Sequence, residues 1–342
     1  MTMNWDEVVG QQGAVDIVRA MLATDRIPHA LLFSGPSGIG KALTAKLVAA
    51  GILCSAGGDK PCGCCQSCLL FGRGAHPDFI QVVPDGATIK IDQIRMLKSF
   101  AALTPSVGEA RVCLIEDAEV MTVQAANSIL KLLEEPPNGL VFILTAGTGK
   151  PLLPTILSRC RKVAFCLLPA NALEQALVRK GYNAEASAVI AHLSGGRMGK
   201  AIALLAPDGL EFRDMALALL RDIQQQDMTA VWSQSSKLSS LAAKDLISVL
   251  EFFLYLLRDL LVVAGRYGEQ LLYNIDLAQE LADLVADWPE GRSMAAVTAV
   301  KNTMRAIDGN ANSRLALEDL LIKLKDWQEK GVQYVNSSRY PL

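Results

Sequence analysis

The segment Gly35-Pro-Ser-Gly-Ile-Gly-Lys41-Ala42 constrains this chain more than any other stretch of it. Its spacing is G-x-x-x-x-G-K. The apolar run His29-Ala-Leu-Leu-Phe-Ser34 before it predicts a short buried parallel strand, and residues 42–50 after it predict a helix with a strong apolar face. Strand, glycine loop and helix, in that order, are the setting a phosphate-binding loop needs. Loop N–H groups and the positive end of the helix can then cradle phosphate. A glycine-rich turn with a chance lysine fits that setting poorly. One position departs from the pattern: the hydroxyl residue that ligates magnesium directly after the lysine is replaced by Ala42. Thr44 lies three residues past the lysine, rotated away along the helix, and substitutes badly. The residues therefore predict ATP or ADP binding through Gly35, Gly38, Gly40 and Lys41, without efficient hydrolysis.

Downstream, strands are expected over residues 79–83, 111–117 and 139–145, alternating with helices over 91–100 and 122–133; the run Glu134-Glu-Pro-Pro137 stops the second helix. That alternation argues for a parallel sheet with helices on both faces. From residue 166 onward no further strand is expected. Short helices read over 173–181, 184–193 (Asn183 as N-cap) and 199–205. Pro207-Asp-Gly209 breaks the chain, and helical patterns continue to about Glu329 with Pro289 and Gly291 as the main interruption. The expected organisation is an α/β domain over 1–165 carrying an insert at 54–68, a small helical domain over 166–206, and an all-α C-terminal domain over 207–335. A chain of 342 residues is long enough for this at roughly 100–200 residues per domain.

The net charge of −2 argues against a general nucleic-acid coat, so any DNA contact must come from a local patch. The start, Met1-Thr-Met-Asn-Trp-Asp-Glu7, is polar, and the longest apolar runs are too short to span a bilayer. A soluble, cytoplasmic chain without membrane partners is expected. Five of the eight cysteines crowd into residues 54–68, and in a reducing compartment that density favours a metal over disulfides.

Within that stretch, Cys62, Cys65 and Cys68 have C-x-x-C-x-x-C spacing, and Cys54 precedes them by seven intervening residues. Four thiolates close a tetrahedral structural zinc site and leave no open position for catalysis. Cys64 is a fifth candidate that could displace one of the four. Free thiols and an iron–sulfur cluster are the alternatives. On the third expected strand, Glu116 and Asp117 stand where phosphate-loop ATPases commonly put Asp then Glu. The order is reversed, and the shorter Asp117 has a doubtful reach for activating water. Acids capping a strand end in solvent remain the alternative.

Arg159, in Ser158-Arg-Cys160, follows the fourth strand. A lone arginine there is ordinarily a surface residue, but a fixed guanidinium at a subunit edge can reach a neighbour's γ-phosphate. Several segments together resemble one family: Val8-Val-Gly-Gln11, Ile27-Pro-His-Ala-Leu-Leu-Phe-Ser-Gly-Pro36, the cysteine insert, Ile115-Glu-Asp-Ala-Glu-Val-Met121, Ala126-Asn-Ser-Ile-Leu-Lys-Leu-Leu-Glu-Glu-Pro-Pro137 and Thr155-Ile-Leu-Ser-Arg-Cys160. They look like bacterial clamp-loader AAA+ subunits over roughly residues 5–205, and residues 310–321 add a match beyond.

The resemblance implies an AAA+ P-loop domain, a helical lid and a C-terminal oligomer collar. It also implies a five-subunit ring with motor subunits of the gamma/tau type and a delta-like subunit, acting on a sliding clamp and primer-template DNA. Within such a ring this chain resembles a comparatively rigid member that offers Arg159 in trans to a neighbour's ATP. Motor subunits differ by an intact loop, Asp-Glu on the third strand, a sensor threonine where this chain has Ala146 beside Thr145, and a sensing arginine where it has Gly199, with Arg197 two residues off. The competing readings are an ATPase motor using Lys41 and Asp117, which Ala42 weighs against, and a zinc-dependent nucleic-acid binder. The near-neutral charge and 6% aromatic content weigh against the binder.

Overall fold

The structure, a computed structural model, describes residues 4–149, 151–223, 235–236 and 238–334. It divides into two compact units, Met1–Lys180 with Gly196–Lys200, and Gly181–Gly195 with Ala201–Leu342.

The first unit is built on a five-stranded parallel sheet: β1 Ala30–Ser34, β2 Phe79–Val82, β3 Arg111–Ile115, β4 Leu140–Ala146 and β5 Arg161–Ala164, in the order β2-β3-β4-β1-β5. The register pairs Leu32 with Leu144 and Val163 with Phe33. β1, β3 and β4 are covered on both faces. Their sequences are accordingly continuous apolar runs without alternation. On one face, Leu32, Cys113, Phe142 and Leu144 pack with α4 (Ile91–Ala101) and α5 (Val123–Glu134) through Ile94, Leu97, Ile129 and Leu133. On the other, Leu31, Phe33, Leu114 and Ile143 pack with α1 (Gln12–Ala23) and α2 (Lys41–Leu53) through Val18, Leu47 and Val48. This is the expected α/β layering. β5 was absent from the expected set: it is an edge strand of four residues with Val163 its one buried side chain, too short to declare a pattern.

Helix ends follow local chemistry. The Thr122 hydroxyl accepts from the Ala125 N–H and starts α5. Glu135, at φ −129° and ψ 73°, leaves the helix because Pro136 forbids the residue before it from staying helical. Short helices α3 (Gln66–Gly72), α6 (Pro154–Leu157) and α7 (Ala170–Arg179) complete the unit, and α9 (Met198–Leu204) begins in it.

The second unit is helical: α8 (Ala184–Leu193), α10 (Glu211–Asp222), α11 (Ala243–Ala264), α12 (Ala278–Leu284), α13 (Glu290–Asp308) and α14 (Ser313–Tyr334). Asn183 caps α8 as the sequence predicts. α11 packs on α10 and α13, and α13 on α14, around Phe253, Leu257, Trp288 and Val300. Pro289 precedes α13, whereas Gly291 lies inside its first turn. A further break, residues 265–277, separates α11 from α12. That loop is pinned by buried Asp259, which accepts from the Tyr273 and Asn274 N–H groups and the Asn274 amide. No helix among the described residues is long and apolar enough to cross a membrane.

Candidate functional site

The glycine loop leaves β1 and enters α2 as its sequence predicts. The Gly35 N–H donates to the Ala146 carbonyl at 3.1 Å, fastening the loop to the end of β4. Gly40, at φ 98°, caps α2 in a left-handed conformation that a side chain would strain. Lys41 opens the helix and is 6% exposed. Its ammonium donates to the Gly35 and Pro36 carbonyls, both at 2.7 Å. Burial pulls its pKa below the ordinary lysine value, while the charges of Asp117 and Glu119 oppose that shift. Thr44 spends its hydroxyl on the Gly40 carbonyl at 3.0 Å, inside the helix.

The two acids after β3 part company. Glu116 accepts from the Gln81 amide at 2.7 Å and stands 3.6 Å from the Lys46 ammonium. Asp117 turns at φ 49° with its N–H on the Thr145 hydroxyl at 3.0 Å, and it lines a cavity of about 290 Å³ with Ser37, Lys41, Glu119 and Gly147. Sequence reasoning missed Glu119. It accepts from the Gly147 N–H at 2.7 Å through one oxygen, and its second oxygen is buried without a hydrogen-bond partner. Its signal in the sequence was a third acid in Glu116-Asp-Ala-Glu119, placed on the cavity by a single turn of 3-10 helix. Two carboxylates, Asp117 and Glu119, thus share this cavity with one lysine.

The segment Gly196–Lys200 meets the loop's tip. The Gly199 N–H donates to the Gly38 carbonyl at 2.7 Å, and a Cβ on Gly199 would stand 3.1 Å from that oxygen. Gly199 is thus the residue that allows this approach. Arg197 is exposed beside it.

Arg159 follows α6, 31% exposed in its side chain. Its guanidinium donates to the Thr155 carbonyl at 2.8 Å, to the Ser158 hydroxyl at 3.2 Å and to the Glu134 carboxylate.

The structure brings Cys54, Cys62, Cys65 and Cys68 together, with all four sulfurs within 4.8 Å of one another. Cys54 and Cys65 sulfurs are 3.8 Å apart, and those of Cys62 and Cys68 4.0 Å. A tetrahedron of sulfurs at the usual zinc–sulfur length of roughly 2.3 Å has edges of about 3.8 Å, so the donor set fits a metal. The Cys65 N–H points at the Cys62 sulfur, and the Cys68 N–H at the Cys65 sulfur, each at 3.4 Å. Cys64 is exposed, with its sulfur 3.7 Å from that of Cys62, and stands outside the four. Burial raises the Cys54 thiol. Cys65 comes down to about 6: burial opposes that, but N–H and hydroxyl donors from Cys68 and Ser55 outweigh it. The insert is tied to the domain by the Trp5 indole N–H on the Lys60 carbonyl at 3.0 Å and by Ser67 on the His76 imidazole at 2.8 Å.

Residues 10–168 match the family model described as DNA polymerase III, delta subunit. A DNA polymerase III subunit delta' of Bacillus subtilis is 28% identical over 330 residues, covering 95% of this chain and 100% of that protein. Over these spans the chain is similar to DNA polymerase III delta-prime subunits. A second delta-prime relative, from Pseudomonas aeruginosa, is 42% identical over 176 residues, which is 49% of this chain and 53% of that protein. The fold of this chain has a counterpart in the crystal structure of a DNA polymerase III gamma subunit-related protein from Thermotoga maritima. The TM-score is 0.51 at 18% identity, over 92% of this chain and 99% of that one.

Proposed function

We propose that this chain is a clamp-loader subunit of DNA polymerase III that supplies Arg159 to ATP bound by an adjacent motor subunit and does not turn over ATP efficiently itself. One observation carries the second half of that reading: the Lys41 ammonium is already held by two carbonyls of its own loop, in a helix start where Ala42 offers no hydroxyl. Magnesium would lack its usual protein ligand there, and two acids already face the same lysine. ATP or ADP would be held by the loop amides without efficient cleavage. The first half rests on Arg159, oriented at the end of α6 and partly exposed, with a guanidinium suited to bidentate phosphate contact.

On this reading residues 166–206 act as the lid and 207–335 as the collar. The partners are gamma/tau-like motors, a delta-like subunit and, through the complex, the sliding clamp and primer-template DNA in the cytoplasm. Cys54, Cys62, Cys65 and Cys68 would hold a structural zinc ion whose closed shell supplies folding energy and no catalysis.

The test is DNA-dependent ATP turnover by the complex reconstituted from this chain and motor subunits. Arg159→Ala is expected to lower turnover at the interface it serves by about 10³-fold, as for other arginine fingers. Lys41→Ala is expected to leave turnover within about twofold, since nothing is cleaved at that loop. If Lys41→Ala abolished turnover and Arg159→Ala did nothing, the chain would be a motor in its own right.

A further inference from the structure

The run that ends in Glu134 and the triplet around Arg159 stand 25 positions apart in the chain, yet they meet in space. We propose that Glu134 is the positioning residue for Arg159, orienting its guanidinium toward a phosphate on the neighbouring subunit. This rests on the reading that Arg159 serves a neighbour's ATP.

The backbone on both sides is fixed by one core. Glu134 is the last residue of α5, directly after Leu133, which is buried with Ile129 under the sheet. Arg159 follows Ile156, buried in that same cluster, and precedes Cys160, which packs against it. The Arg159 N–H donates to the Ile156 carbonyl at 3.1 Å, so its Cα is set by α6. Pro136 and Pro137 stop α5 at the point where Glu134 reaches the guanidinium. Two stretches that read as separate signatures in the sequence therefore form one physical unit.

The bonding pattern divides the guanidinium. It has five N–H donors. Nη1 donates to the Thr155 carbonyl and the Ser158 hydroxyl, and Nη2 donates once, to Glu134. Nε and the second Nη2 hydrogen are left to donate to phosphate oxygens. The Glu134 bond pairs two opposite charges, whereas the Thr155 and Ser158 acceptors are neutral, so it is the strongest of the three. It holds Nη2 in place before the phosphate arrives, and the half-exposed pair leaves room for that approach. Without the carboxylate, the terminal nitrogens swing. Misplacement of a catalytic group by about 1 Å costs about 10²-fold in rate.

The experiment measures single-turnover ATP hydrolysis in the reconstituted complex with its other motor sites inactivated, comparing Glu134→Ala, Glu134→Gln, Glu134→Lys, Arg159→Ala and the double variant Glu134→Ala/Arg159→Ala. Glu134→Ala is expected to lower the hydrolysis rate about 10- to 100-fold with the KM for ATP within about twofold. Glu134→Gln, whose amide oxygen still accepts, should recover most of the rate. Glu134→Lys, at the same exposed position and with like charge, should fall at least as far as Ala. The double variant should be no slower than Arg159→Ala alone, because Glu134 acts only through the arginine. A Glu134→Ala rate that is unchanged or raised, while Arg159→Ala remains inactive, overturns the assignment and leaves the proposed function standing. So does a double variant in which the two losses multiply. If Arg159→Ala itself is silent, the proposed function falls and this inference falls with it. That pattern is distinct from the others.

Discussion

The Gly199 amide donates to the Gly38 carbonyl at 2.7 Å, joining the first turn of α9 to the tip of the glycine loop through backbone alone. Any side chain at 199 meets that oxygen at 3.1 Å and the Gly38 Cα at 3.3 Å. Both are main-chain atoms, which cannot step aside as a flexible side chain could. Gly199→Val therefore forces an overlap costing about 1–3 kcal/mol, against a helix-propensity gain of a few tenths. A net loss of about 1 kcal/mol is expected, read as a lower urea midpoint with unchanged slope. A midpoint that stays or rises would show that the approach of Gly199 to the loop contributes nothing.

His76 is buried, with the Asp78 N–H donating to its Nδ1 at 3.1 Å. The neutral ring thus carries its proton on Nε2 and gives it to the Ser67 hydroxyl at 2.8 Å. Burial lowers its pKa below the ordinary value, and the charge of Asp78 offsets this in part. A group whose folded pKa is depressed contributes stability above its unfolded value, about 6.5, and loses it as pH falls through the folded value. Unfolding midpoints should drop between pH 7.5 and pH 5 in the native chain and flatten in His76→Leu. The variant should also lose about 1–3 kcal/mol at pH 7.5, because the Asp78 N–H is left unpaired. Parallel pH curves for the two proteins would remove His76 from the account.

The sheet was legible because β1, β3 and β4 are covered on both sides, which leaves uninterrupted apolar runs in the sequence. β5 was not, since Arg161, Lys162 and Ala164 are exposed and one buried Val163 makes no pattern. The glycine loop and the clustering of four sulfurs were legible because their geometry is local: a few residues at fixed spacing. What stayed hidden was long-range. Nothing in Glu116-Asp-Ala-Glu119 announces that Glu116 turns to Gln81 and Lys46 while Glu119 reaches Gly147. Nor does Gly199, read as a missing arginine, announce a hydrogen bond to Gly38.

Asp78 is fully buried at the start of β2. It accepts from the Ser106 and Val107 N–H groups, both at 2.8 Å, and from Arg111 at 3.2 Å, whose guanidinium also stacks on the Phe100 ring. Removing the carboxylate leaves a buried guanidinium without its counter-charge and two amides without acceptors. Asp78→Ala should cost about 3–5 kcal/mol in chemical denaturation. A loss below about 1 kcal/mol would mean that water or a shifted loop replaces the carboxylate.

The cysteine cluster and Trp5 are coupled through one bond, the indole N–H on the Lys60 carbonyl, and that gives the metal site an optical reporter. The native chain should carry about one zinc per molecule. Cys62→Ser should lose it, whereas Cys64→Ser, outside the four-sulfur group, should keep it. Because burial raises the Cys54 thiol, metal loading must release protons, so affinity should weaken as pH falls. Chelation should free residues 54–68, expose the Trp5 indole and shift its emission to the red, with loss of thermal stability. Trp5→Phe should abolish the shift while leaving metal content unchanged. If the chelator strips the metal and Trp5 emission does not move, the insert holds its shape by packing alone; if Cys64→Ser loses the metal while Cys54→Ser retains it, the ligand set is wrong.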